Sequence, residues 1–119
     1  MSKHTKDTLH FSLSNGVQIT SIGLDTWKGK ETFQVKQMIN CALINQYTHI
    51  DTAAIYGNEG IIGETLKSID IPREKLFITT KLWVTNLGYA SAEKAFLESL
   101  KLLQLDYIKL SCATVLNVK

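Results

Sequence analysis

Apolar and polar residues alternate near the start of the chain. Two alternating runs, residues 11–13 and 17–19, flank Asn15-Gly16. Asn-Gly between such runs is a strong hairpin signal, because both residues tolerate a positive φ. The pattern therefore predicts a β-hairpin from His10 to Ile19.

After the hairpin, short apolar runs alternate with segments that have helical spacing. The predicted order is a strand over 21–27, a helix over 31–45, a strand over 47–53, a helix over 58–68, a strand over 76–82, a helix from about Ser91 to Leu103 and a strand over 107–115. Ser91 is predicted to cap the third helix, since serine favours that position. Strands alternating with helices at this spacing predict an α/β fold with a parallel sheet.

Composition narrows the classes of protein that fit. The 119 residues are 45% hydrophobic and 20% charged, which is typical of one small globular domain. The formal net charge of +2 comes with scattered lysines, so we expect no nucleic-acid partner. The N-terminus is polar, and no run reaches the ~18 apolar residues of a membrane span. We expect a cytoplasmic protein that does not bind a membrane.

Cysteines and short motifs add little chemistry. Cys41 and Cys112 have no metal-ligand spacing, so we expect no metal site, and Cys41 is predicted to be buried on an apolar helix face. The spacing Gly57-x-x-Gly60-x-x-Gly63 lacks the rest of a phosphate loop, so a flexible loop and close helix packing explain it better. Ser91-x-x-Lys94 lacks the companion motifs of penicillin-binding enzymes.

Three residue types associated with acid catalysis fall near the ends of strands. Asp51 and Lys81 each end a predicted strand, so both belong at the carboxyl edge of a parallel sheet, where α/β ligands bind. Tyr56 lies on the loop after Asp51. A free tyrosine titrates near ~10, and a nearby ammonium lowers that value while a carboxylate keeps the lysine charged. The trio is interpreted as a tuned proton donor; the alternative is a strand-end salt bridge beside a surface tyrosine.

Aromatic residues follow two of the same strands. Trp27 and Trp83 are expected either to wall a ligand pocket at this rim or to pack against the helices. His49 precedes Asp51 on the same strand. We interpret it as a structural histidine rather than a catalytic one.

Several segments resemble one protein family in register. They are Gly23-Leu24-Asp25-Thr26-Trp27, the run from Tyr47 to Glu59 containing His49-Ile50-Asp51-Thr52-Ala53, the run from Glu74 to Trp83, and Leu105-Asp106-Tyr107. Together they resemble the aldo-keto reductases over about residues 10–110. The resemblance implies a (β/α)8 TIM barrel, with its floor closed by the hairpin, that reduces aldehydes or ketones with NADPH or NADH.

The resemblance also implies roles for individual residues. Tyr56 would be the proton donor to a small carbonyl substrate, Lys81 would lower its pKa, and Asp51 would pair with Lys81. Thr26 and Asp51 would lie near the nicotinamide. Hydride would come from the cofactor, so the protein would supply orientation and a proton. The implied substrate pocket consists of Trp27, Tyr56 and Trp83.

The chain departs from the family pattern at three places. Asp25 stands where the family usually has glycine beside the cofactor, and Gln46-Tyr47-Thr48 replaces the family's Gly-Tyr-Arg before the second strand. At the end of the fourth strand, Thr114 falls where the family has a carbonyl-orienting histidine. From about Ser111 the resemblance ends, which is open to interpretation as a truncation, a different reading frame or an alternative exon.

Length limits how much of a barrel this sequence can form. A full barrel needs roughly 200 residues or more, and this chain contains about four of the eight strands. We therefore predict a truncated (β/α)8 barrel over 10–119, made of the hairpin, about four parallel strands and three helices, after a disordered tail over 1–9. Open sheet edges make a second hypothesis necessary: a non-catalytic half-barrel that is unstable or self-associates.

Overall fold

The hairpin forms as the alternating pattern predicts. The computed structural model of the protein describes residues 9–82, 88–108 and 110–113. Strand β1 (His10–Ser12) pairs antiparallel with β2 (Gln18–Thr20), and the Asn15 side chain accepts a hydrogen bond from the backbone N–H of Val17 at 3.1 Å. Gly16 takes a φ of +83°, which glycine adopts without strain. Apart from Leu9, the predicted disordered tail lies outside the described residues.

Four parallel strands form the main sheet, as predicted. They are β3 (Leu24–Asp25), β4 (His49–Asp51), β5 (Phe77–Leu82) and β6 (Leu110–Ala113), and they lie side by side in chain order. Strands β3 and β4 are shorter than the predicted strands over 21–27 and 47–53, whereas β5 matches its prediction to within one residue. Positions 114 and 115, predicted to continue the last strand, lie outside the described residues.

Three helices connect the strands. They are α1 (Thr32–Ile44), α2 (Glu59–Lys67) and α3 (Tyr89–Leu103), and short 3-10 turns lie at Ala54–Tyr56 and Arg73–Lys75. None of the helices in the described part of the chain is both long enough and apolar enough to span a membrane.

Apolar side chains from the strands and the helices meet in one core. Its buried members are Val35, Ile39, Ile50, Ile62, Leu66, Leu76, Ile78 and Leu103. Ile50 and Ile78 are partners in the β4–β5 register and both belong to this core. Because side chains alternate between the two faces of a strand, Asp51 and Thr79 lie on the other face of the sheet. The side chains of Asp51 and Thr79 are thus separated from the apolar core by the sheet.

Two local predictions are wrong. Cys41 is exposed rather than buried, because Val35, Ile39 and Ala42 occupy the centre of the inner face of α1 and Cys41 lies on its flank. Helix α3 begins two residues before Ser91, with Gly88 at the cap position. Gly88 has a φ of 135° and a ψ of 143°, a conformation essentially restricted to glycine, so the helix begins directly after it.

Close packing of α2 on the end of α3 explains one of the glycines in the spaced motif. A Cβ at Gly63 would lie 2.4 Å from the backbone oxygen of Leu102 and 2.8 Å from that of Leu103. Only a residue without a side chain allows this approach. The packing interpretation of Gly63 is therefore confirmed.

Candidate active site

Asp51 lies at the centre of the polar interactions on the sheet face opposite the apolar core. It ends β4 and accepts a hydrogen bond from the hydroxyl of Thr79, its register partner on β5. Its other carboxylate oxygen forms an ion pair with Lys81, which lies two residues beyond Thr79 on the same face. The Lys81 ammonium also donates to the backbone oxygen of Thr52 at 3.3 Å.

Tyr56 approaches this ion pair from the loop that follows β4. A 3-10 turn, closed by a 3.0 Å hydrogen bond from the Tyr56 N–H to the oxygen of Ala53, sets its position. Gly57 then takes a φ of +70° and directs the chain toward α2. The Lys81 ammonium lies 5.4 Å from the centroid of the Tyr56 ring. The structure thus brings Asp51, Lys81 and Tyr56 together.

The pKa of Tyr56 shifts in the opposite direction to the expected lowering by Lys81. Burial raises the pKa of Tyr56 above its ordinary value and outweighs the lowering by the charge of Lys81; the charges of Asp25 and Asp51 also act to raise it. Burial alone would lower the pKa of Lys81, but its hydrogen bond and charge interaction with Asp51 raise it overall. The result is a protonated phenol beside a firmly charged ammonium.

Thr26 is fixed by hydrogen bonds to the backbone of Asp51. It is fully buried, and its backbone N–H and hydroxyl both donate to the backbone oxygen of Asp51, at 3.1 and 3.0 Å. The two residues that the resemblance assigns to the cofactor are therefore neighbours.

Of the two tryptophans predicted to wall the pocket, only Trp27 lies among the described residues. Trp27 is 60% exposed, so its ring is not part of the helix packing. Its backbone N–H donates to a carboxylate oxygen of Asp25 at 3.1 Å, and the Lys28 ammonium lies 4.6 Å from the ring centroid. Trp83 and Thr114 lie outside the described residues, so a wall of two tryptophans stays a prediction.

His49 has the surroundings of a packed side chain. Its ring makes an edge contact with Phe77 at a centroid distance of 4.9 Å, and Nε2 lies 3.3 Å from the Thr79 hydroxyl. Burial lowers its pKa, in spite of the raising influence of Asp51. These contacts agree with a structural histidine.

Sequence reasoning missed three polar residues that fix the elements of the site. Thr79 orients Asp51, and Asn58 contacts the loop after β3. On the opposite, helix-covered face of the sheet, the buried Glu59 accepts hydrogen bonds of 2.8 Å from both Thr80 and Ser99. A signal existed for Thr79, since it precedes Lys81 by two residues and therefore shares its face. Within the described residues, no three His, Cys, Asp or Glu side chains gather as a metal site.

Comparison with known proteins identifies the family to which the chain belongs. The Aldo/keto reductase family model matches residues 21–113, and the chain belongs to that family. It is 47% identical over 108 residues to glycerol 2-dehydrogenase (NADP(+)) of Saccharomyces cerevisiae, covering 87% of this chain and 34% of that protein. It is 41% identical over 110 residues to glyoxal reductase of Bacillus subtilis, covering 92% of this chain and 39% of that protein.

Solved structures show the same fold. The chain superposes with a TM-score of 0.84 and 43% identity on MGS-M4, an aldo-keto reductase enzyme from a Medee basin deep-sea metagenome library, covering 90% of this chain and 39% of that one. With Bombyx mori aldo-keto reductase in complex with NADP the TM-score is 0.81 and the identity 34%, over 87% and 37% of the two chains. The hairpin, parallel sheet and helices are therefore part of a (β/α)8 barrel, and the chain spans between a third and two fifths of these relatives.

Proposed function

We propose that this chain carries the proton-donating part of a site for NAD(P)H-dependent reduction of aldehydes or ketones to alcohols. The observation that carries the proposal is the Asp51–Lys81 ion pair beside Tyr56, with the ammonium 5.4 Å from the ring centroid. Membership of the aldo/keto reductase family supports it. So do the names of two relatives, a glyoxal reductase and a glycerol 2-dehydrogenase (NADP(+)).

Each member of the trio has a distinct part in the proposed proton transfer. A tyrosine phenol is protonated at neutral pH, and burial raises the pKa of Tyr56 further, so the form present is the one that can donate a proton to a carbonyl oxygen. The phenolate left behind is negatively charged, and the Lys81 ammonium stabilises it. Asp51 holds Lys81 charged and in place, because its carboxylate raises the pKa of the lysine.

Thr26 and Asp51 are proposed to lie at the nicotinamide end of NADPH or NADH. The Thr26 hydroxyl donates to the backbone oxygen of Asp51, and both residues lie at the carboxyl ends of parallel strands, where α/β proteins bind ligands. When bound, the cofactor supplies the hydride. Trp27, Tyr56 and Trp83 are proposed to line the pocket for a small carbonyl substrate.

Turnover by the purified chain tests the proposal. We expect NADPH absorbance to fall when glyceraldehyde is added, and Tyr56→Phe to slow this by about 10² to 10⁴, the contribution of a general acid. NADPH binding, followed by fluorescence quenching, should be unchanged in Tyr56→Phe. Tyr89→Phe, at an 89% exposed position, is the matched control. Equal turnover by the parent chain and Tyr56→Phe would show that Tyr56 is not the donor.

A second candidate function rests on the edges of the sheet. Within the described strands, β3 and β6 each have one neighbour, which leaves a hydrogen-bonding edge on both. Such edges favour self-association of a non-catalytic half-barrel. Sedimentation analysis over a range of concentrations distinguishes the two, because a monomer that binds NADPH at every concentration contradicts the self-associating form.

A further inference from the structure

Asn58 is buried, and its side chain forms hydrogen bonds to a loop distant in sequence rather than to its own helix. It is 1% exposed and occupies the cap position of α2, where its side chain makes no capping hydrogen bond. Instead Nδ2 donates to the backbone oxygens of Thr26 at 2.8 Å and Gly29 at 2.9 Å. Its Oδ1 has no partner among the described residues, so the donors alone orient this amide.

The segment that Asn58 binds, residues 26–29, is a tight turn. The Gly29 N–H donates back to the oxygen of Thr26 at 3.2 Å, so Asn58 binds the carbonyls at both ends of the turn. Lys28 adopts a φ of +65°, which is unfavourable for a residue with a side chain and persists only where the surroundings enforce it. A Cβ at Gly29 would meet Val35 at 2.9 Å, so the turn lies close against α1.

The two central residues of this turn face solvent beside the site. Trp27 is 60% exposed and Lys28 lies over its ring, so neither is anchored by burial of its own side chain. Their placement depends on the backbone that Asn58 binds. Asn58 in turn follows Tyr56 by two residues, through the turn at Gly57. One buried amide therefore joins the loop that carries Tyr56 to the loop that carries Trp27.

We propose that Asn58 is a positioning residue that fixes the Trp27–Lys28 turn relative to Tyr56 and thereby sets the width of the carbonyl pocket. The catalytic consequence rests on the function proposed above, whereas the positioning itself does not. Asparagine suits this role because it presents two N–H donors to two carbonyls. An aspartate would present oxygens to the same carbonyls and repel them.

Amide hydrogen exchange measured by NMR tests the positioning directly. We expect Asn58→Ala to speed exchange of the Gly29 N–H by about tenfold, and Asn58→Asp to speed it more. The Tyr47 N–H, which donates to Ala42 at 2.9 Å at the far end of α1, is the reference amide away from the turn and should keep its rate. Asn45→Ala is the matched control, since Asn45 also donates to a backbone carbonyl, that of Cys41 at 2.7 Å.

The Trp27 signal gives a second readout. In a Trp83→Phe background Trp27 is the sole tryptophan, and we expect Asn58→Ala to weaken its near-ultraviolet circular dichroism while Asn45→Ala leaves it unchanged. Asn58→Ala carries no added charge, so it decides the question if Asn58→Asp does not fold. Unchanged exchange at Gly29, or a rise that only parallels the rise at Tyr47, would overturn the proposal.

Kinetics test the link to the pocket. In a chain that turns over glyceraldehyde with NADPH, Asn58→Ala should raise KM by about tenfold and change kcat by no more than about twofold, the pattern of lost substrate binding. A fall in kcat with constant KM would contradict a pocket-setting role. A parent chain without turnover would contradict the proposed function, and the exchange and dichroism results would still decide the role of Asn58.

Discussion

Lys81 and Asp51 form an ion pair between neighbouring parallel strands, on the sheet face opposite the apolar core. The two side chains are 23% and 28% exposed, so the pair is neither fully buried nor freely solvated. Thr79 holds the second oxygen of Asp51, which leaves the carboxylate little freedom to leave the lysine. This geometry makes the pair a structural element as well as a part of the candidate site.

Removing the carboxylate should therefore cost stability. Asp51→Asn leaves Lys81 charged and partly buried without its counter-ion, and we expect the free energy of unfolding to fall by about 1 to 3 kcal/mol, between the values for exposed and buried pairs. Urea denaturation measures the change. Asp70→Asn, at an exposed position, is the control and should change stability by less than ~0.5 kcal/mol. Equal effects at both positions would mean that the ion pair contributes no stability.

Gly63 and Gly60 offer a matched test of the packing between α2 and α3. A Cβ at Gly63 meets backbone atoms at 2.4 to 2.8 Å, so Gly63→Ala forces the helices apart and should destabilise the protein by about 1 to 3 kcal/mol. At Gly60 the nearest atom is a Leu102 methyl group at 4.0 Å, so Gly60→Ala should be neutral or stabilise by up to ~1 kcal/mol. Thermal melting of the two variants compares them, and similar losses at both sites would contradict the close approach at Gly63.

The buried carboxylate of Glu59 should make stability depend on pH. Burial raises the pKa of Glu59 above its ordinary value of 4.5, although the hydrogen bonds from Thr80 and Ser99 act to lower it. The folded state then holds this proton more tightly than the unfolded state, so the contribution of Glu59 to stability falls as pH rises above about 4.5.

Glu59→Gln should remove this dependence. The unfolding free energy of the variant relative to the parent should shift in favour of the variant as pH rises from about 4 to about 7. Glu64→Gln, at an exposed position on the same helix, controls for the change in net charge. A difference between parent and Glu59→Gln that moves the other way with pH would contradict the raised pKa.

Local sequence patterns predicted most of the secondary structure and the order of the strands. Alternation around Asn15-Gly16 predicted the hairpin, and the change of period along the chain predicted the three helices and four parallel strands. The proximity of Asp51, Tyr56 and Lys81 could also be predicted from the sequence, because residues that end parallel strands meet at one edge of the sheet. Register then placed Lys81 beside Asp51.

What the patterns could not predict depends on contacts between distant segments. Asn58 binds backbone carbonyls about 30 residues away, and Glu59 binds hydroxyls on two other elements. The start of α3 follows from the backbone at Gly88 rather than from a capping serine. The sign of the Tyr56 pKa shift depends on burial, which a linear sequence does not display.

Titration of the Tyr56 phenol shows whether Lys81 stabilises the Tyr56 phenolate. NMR of ring-labelled tyrosine follows the four tyrosines, and Tyr56→Phe identifies the signal. Lys81→Met should raise the pKa of Tyr56 further, since the charge that lowers it is lost, whereas Lys81→Arg should keep it near the parent value. A Tyr56 pKa that is unchanged or lower in Lys81→Met would show that Lys81 does not stabilise the phenolate.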